Sequence, residues 1–222
     1  MLQIDMPFVL EPYDAQQPHW PSTGRHVLAQ YDDETIVVYQ AYRPEIGHWS
    51  ARERRLGGPG FSLGRMSWVK PNFLWMMYRS GWGTKEGQEI TLALRLRRAA
   101  FDDILAAAVH SAFVPHVYAD EAAWKSAVER SDVRVQWDPD HDPDGKPLAR
   151  RALQLGLRGR ALQQLVNEWT VDVHDVSSFV TEQRERLRPS PHSLVTPRER
   201  VYPVSPSSAA HLGVDDARAT FP

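Results

Sequence analysis

The plainest pattern along the chain is Thr35-Ile36-Val37-Val38-Tyr39-Gln40-Ala41-Tyr42, a run of β-branched and aromatic residues. Asp32, Asp33 and Glu34 precede it and Pro44 follows it. Such residues suit a pleated, half-buried surface, so the run predicts a strand. Residues 44–56 predict a short helix, which Gly57-Gly58-Pro59-Gly60 ends. Residues 73–79 are apolar on nearly every side of a helix. Asn72 is suited to cap them and Gly81 to stop them, so they predict a buried helix. Further strands are expected over 89–96, 133–137, 151–157 and 169–173, and helices over 99–111, 119–130 and 160–168. Residues 176–187 read as an exposed helix, and the acidic stretch 138–147 as a loop.

Short strands interleaved with helices imply an α+β fold, with a mixed or antiparallel sheet and helices packed on it. Pro7, Pro12, Pro18 and Pro21 make residues 1–24 an irregular lead-in. Pro189, Pro191, Pro197, Pro203 and Pro206, set among serines and charges, make 188–222 a loosely attached tail. A single domain is then expected over 25–187.

Composition removes several function classes. The 222 residues carry a formal net charge of -2, so no general field draws the chain to nucleic acid or anionic membrane. The absence of cysteine excludes disulfides, thiolate catalysis and cysteine-ligated zinc. No apolar run approaches the roughly 20 residues that cross a bilayer, so no membrane partner is expected. The first residues carry an early acid, Asp5, and no basic stretch, which does not read as a secretory signal; the cytoplasm is the expected compartment. None of the nine histidines falls in an H-x-x-H arrangement. Asp140, Asp142, Asp144 and Gly145 imitate a calcium loop, but Arg151 stands where the bidentate glutamate belongs. No metal is expected. Serine-hydrolase, P-loop and dinucleotide-fingerprint motifs are absent.

Candidate chemistry gathers between Trp68 and Trp82, where three tryptophans, Phe73 and Tyr78 surround Lys70 and Arg79. One reading is a core helix whose charged ends reach outward. The other is a pocket wall, in which rings stack on a flat ligand while Lys70 and Arg79 meet an anion. Polar groups crowd the end of that helix at Tyr78-Arg79-Ser80-Gly81-Trp82. In the first strand Tyr39 and Ala41 share one face, Gln40 and Tyr42 the other. A buried glutamine needs partners, which packing or a ligand can supply. A non-enzymatic alternative is nucleic-acid binding through Lys70, Arg79, Arg95, Arg97 and Arg98; another is a protein-interaction domain.

The strand 32–42, the segment 66–83, and the later stretches 151–157 and 169–173 resemble the family known as domain of unknown function 4291, over about residues 25–187. The order of elements also resembles the ADP-ribosyltransferase superfamily. That resemblance implies an NAD-binding enzyme with nucleic acid or protein as acceptor. Arg25 or Gln40 would then stand at the first NAD-binding position and Tyr78 at the aromatic one. Gln154 would take the late position, where the superfamily has a glutamate. Tyr78 and Gln154 are the catalytic candidates, and Arg25, Tyr39, Gln40, Lys70, Arg79 and Trp82 the cofactor-binding ones.

Overall fold

The computed structural model describes residues 8–188 and 193–216. Strand β4 (Thr35–Tyr42) forms where its pattern places it. It pairs antiparallel with β6 (Ile90–Arg97), in register from Thr35 opposite Arg97 to Tyr42 opposite Ile90. On its other edge β6 pairs antiparallel with β10 (Thr170–Asp175), with an irregularity between Thr170 and Asp172. A second sheet is built on the hairpin of β8 (Val133–His141) and β9 (Pro147–Leu157). Strand β7 (Val109–His110) lies parallel to β8, whereas β2 (Gly24–Arg25) and β5 (Ser67–Val69) both join β9. The fold is α+β, with the first sheet antiparallel and the second mixed.

The two sheets share one core. Ile36 and Val38 of β4 and Leu92, Leu94 and Leu96 of β6 belong to the same buried cluster as Val133, Val135, Leu153, Leu155 and Leu157. The other face of β4 carries Val37 and Tyr39, which pack with Phe73, Met76 and Met77 of α3 (Phe73–Ser80). Helix α3 is therefore buried as its composition predicts. Asn72 Oδ1 accepts from the Trp75 N–H at 2.7 Å, and Gly81 ends the helix in the left-handed region.

Helix α7 (Ser177–Leu187) corrects the expectation of an exposed helix. Phe179, Val180 and Gln183 form a buried face, and Gln183 Oε1 accepts from the Val195 N–H. Its charges fill the remaining faces and hide that narrow stripe in the sequence. The loop expected over 138–147 is also shorter than predicted, because β8 continues to His141. Asp140 is buried there in an ion pair with Arg150, whose guanidinium also lies over the Trp20 ring.

The expected separation of lead-in, domain and tail does not match the packing. Strand β1 (Leu10–Pro12) pairs with β11 (Val195–Pro197), and β3 (Leu28–Ala29) with β12 (Arg200–Val201). Helix α8 (Pro206–Leu212) follows, with Leu212 fully buried and its carbonyl accepting from the Trp137 indole. Leu194 and Tyr202 are buried as well. Proline is compatible with such short edge pairings. Apolar residues spaced this widely produce no period from which a strand or helix is read. Residues 1–7, 189–192 and 217–222 of the expected lead-in and tail lie outside the described residues.

Candidate ligand cavity at the seam of the two sheets

The two sheets are joined at Lys70. Strand β5 is held on β9, with Trp68 opposite Gly156 and Val69 opposite Leu155. One residue further on, Lys70 leaves β9 for β4, where it exchanges backbone hydrogen bonds with Tyr39 at 2.7 and 3.1 Å. Its backbone is thus fixed from both sides. Beside it, alternation along β4 sends Gln40 and Tyr42 to the same face. Gln40 Nε2 donates to Ser67 Oγ at 2.7 Å and to the Trp68 carbonyl at 3.2 Å. The Tyr42 hydroxyl donates to Gln40 Oε1 and lies 3.0 Å from Ser67 Oγ. The glutamine's needs are met within the protein, and the three side chains form a fixed polar wall.

The opposite wall depends on glycine. At Pro44 the chain turns into α2 (Pro44–Glu53), then loops back through residues 57–60. Gly60 has φ 80°, and a Cβ there would collide with the Arg43 guanidinium. The glycine therefore both makes the turn and lets Arg43 lie against the loop that delivers Phe61 and Ser62. Gly156 serves the other side: a Cβ would stand 2.6 Å from the Met66 sulfur and 3.0 Å from the Trp68 ring.

These walls enclose a cavity of about 410 Å³, within the range of small-molecule sites. Three cations, Arg43, Arg65 and Lys70, meet three rings, Tyr42, Phe61 and Trp68. Among the described residues lining it there is no carboxylate. Arg43 and Arg65 are exposed, whereas Lys70 is 7% exposed and has no hydrogen-bond or ion-pair partner for its ammonium among the described residues. Burial first, and the nearby Arg79 charge second, bring the Lys70 amine down to about 8 against the opposing pull of Asp138. Burial pushes the Tyr42 hydroxyl up to about 12, so it stays protonated.

The eight residues expected to form the site are divided by the fold. Gln40 and Lys70 line the cavity. Tyr39 is fully buried on the other face of β4, at 5.5 Å from the Phe73 ring, because alternation turns it away from Gln40. Trp82 packs on Phe73, and its carbonyl accepts from Arg184. Arg79 lies over the Trp75 ring on the exposed side of α3. Tyr78 is 40% exposed and stacks on His141 at 3.5 Å, since the α3 face that it occupies meets β8. Gln154 donates to Asp138 Oδ2 at 2.7 Å. The Arg25 backbone N–H donates to Asp215. None of these six lines the cavity. Of the five cations considered for nucleic acid, Lys70 is at the cavity and Arg98 lies over the rings of Tyr31 and Tyr202.

Sequence reasoning passed over Tyr42, Arg43, Phe61, Arg65 and Ser67. The alternation that singled out Gln40 also carried Tyr42. The glycine cluster marked the loop that supplies Phe61, and reading it as a helix stop alone missed what it brings into place.

The molecule is thus an α+β protein with a cationic, ring-lined cavity where its two larger sheets meet. The chain belongs to the family described as domain of unknown function (DUF4291), whose model matches residues 26–202. That stretch contains the whole cavity and runs past residue 187 to include β11 and β12. No curated protein matches the chain. Among the described residues, no helix is long and apolar enough to cross a membrane.

Proposed function

We propose that this cavity binds a nucleotide, NAD foremost, and that the chain is an ADP-ribosyltransferase-like enzyme with nucleic acid or protein as acceptor. One observation supports the binding half: three cations and three rings converge on one cavity beside a fixed polar wall. Guanidinium groups suit phosphate oxygens, aromatic faces suit a base, and the array of Gln40, Tyr42 and Ser67 suits ribose hydroxyls. Lys70, unpaired in the free protein, gains a partner when an anion enters. The transferase half rests on the resemblance in element order.

Thermal unfolding with millimolar NAD, ADP-ribose, ATP and inorganic phosphate tests binding. A ligand at 100 times its dissociation constant adds about 2.7 kcal/mol of stability. Lys70→Met removes a buried, unpaired charge, so it is expected to keep or raise the melting temperature while abolishing the nucleotide shift. No shift with any nucleotide in the unaltered protein overturns the reading. Release of nicotinamide from NAD, with and without a mixed nucleic acid or protein acceptor, tests transfer separately.

A further inference from the structure

We propose that Lys70 is a reactive amine that forms an imine with a phosphorylated aldehyde or ketone held in the cavity. This rests on the same cavity as the nucleotide reading but assigns it a covalent step of its own. Backbone hydrogen bonds to Tyr39 and the pairing of β5 with β9 fix the Lys70 main chain. The side chain is 7% exposed, lines the cavity, and has no partner for its nitrogen among the described residues. A lysine serving structure is normally paired when buried this deeply. Arg43 and Arg65 line the same cavity and suit a phosphate, leaving the amine to meet another part of the ligand.

Nucleophilic attack requires a neutral amine. At a value of about 8, about a tenth of Lys70 is neutral at pH 7, against less than about a thousandth for an ordinary lysine. The lone pair of Nζ forms a bond to the carbonyl carbon while the carbonyl oxygen gains a proton, giving a carbinolamine. The carbon–oxygen bond then breaks and the oxygen leaves as water with a second proton; both protons come from the amine, and the electron pair left on nitrogen completes the C=N bond. Nothing is oxidised or reduced, and water is the only by-product.

The test uses the full chain and pyridoxal phosphate as probe, since it joins an aldehyde, a flat ring and a phosphate. After brief exposure at pH 7, borohydride reduces any imine to a stable secondary amine that peptide mass spectrometry locates. The chain has three other lysines, Lys85, Lys125 and Lys146, all exposed, which serve as internal controls. Labelling of Lys70 is expected to exceed that of each of them by at least about tenfold, because its amine is partly neutral at pH 7 and shares the cavity with the two arginines that suit the phosphate. Pyridoxal without phosphate should label Lys70 several-fold less, as should pyridoxal phosphate with Arg65→Gln, while the exposed lysines label as before. Label confined to the exposed lysines, or Lys70 labelling indifferent to the phosphate, overturns the inference. Labelling of Lys70 without any NAD-induced thermal shift would leave this inference standing and remove the nucleotide reading; the reverse result would do the opposite.

Discussion

Glu199 is 2% exposed and has no cation within ion-pair distance among the described residues. Its carboxyl accepts from the Phe73 N–H at 2.6 Å and from Asn72 Nδ2 at 3.0 Å. Burial raises the group well above the usual carboxylate range, helped by Asp140, while the Phe73 N–H and Arg150 pull the other way. A raised acid binds a proton in the folded state that the unfolded chain gives up above about pH 4.3. Its contribution to stability is therefore complete below that pH and is lost as pH rises toward the folded value, by up to about 1.4 kcal/mol per pH unit. His110 acts in the opposite direction. Burial lowers it to about 4, so its contribution is lost as pH falls from about 6.5 toward 4. Urea unfolding of the native protein and of Glu199→Gln between pH 5 and 8 isolates the first effect, because the histidine is common to both. The native protein is expected to lose stability relative to the variant as pH rises. Parallel curves would mean that Glu199 is already ionised in the fold.

At the scale of elements, α3 depends on the contact that Glu199 makes. Asn72 caps the helix through Oδ1 and reaches Glu199 through Nδ2. Asn72→Ala removes both bonds, with an expected loss of about 1–3 kcal/mol in urea unfolding. Asn72→Ser retains a capping oxygen and should recover most of that loss; equal losses would show the cap to be worth little here. The cap, the stop at Gly81 and the apolar run between them were legible in the sequence because each is a local signal. So was β4, whose alternation separated Gln40 and Tyr42 from Tyr39. Helix α7 was not, since its buried stripe is only Phe179, Val180 and Gln183 among charges. Strand β9 was longer than its pattern suggested, because the charge on Arg150 is neutralised inside the fold by Asp140, ten residues away. The cavity was half legible for the same reason. Lys70 stood out as a charge in an apolar segment, whereas Arg65 is carried by, and Arg43 lies against, a loop whose return is a tertiary event.

The whole molecule closes through its ends. Residues 194–216 supply β11 to β1, β12 to β3, the Glu199 contact beneath α3, and Leu212 to the main core cluster. His211 Nε2 lies 2.9 Å from the Ala108 carbonyl, next to β7, and Asp215 accepts from the N–H of Arg25 in β2. Fully burying a large apolar side chain contributes about 1.5–3 kcal/mol. Leu194, Tyr202 and Leu212 together therefore approach the whole net stability of an ordinary domain, about 5–15 kcal/mol. Two truncations separate the parts of this closure. Ending the chain after Tyr202 removes α8, and is expected to lower the urea midpoint while leaving a cooperative transition. Ending it after residue 193 also removes β11, Glu199 and β12, which exposes the start of α3 and the Tyr39–Phe73 cluster below the Lys70 seam. Cooperative unfolding should then be lost, and with it any ligand-induced shift, because the backbone that fixes Lys70 is held by Tyr39. If the shorter chain instead unfolds at the native midpoint, the C-terminal segment would be an ornament on a self-sufficient domain rather than part of its core.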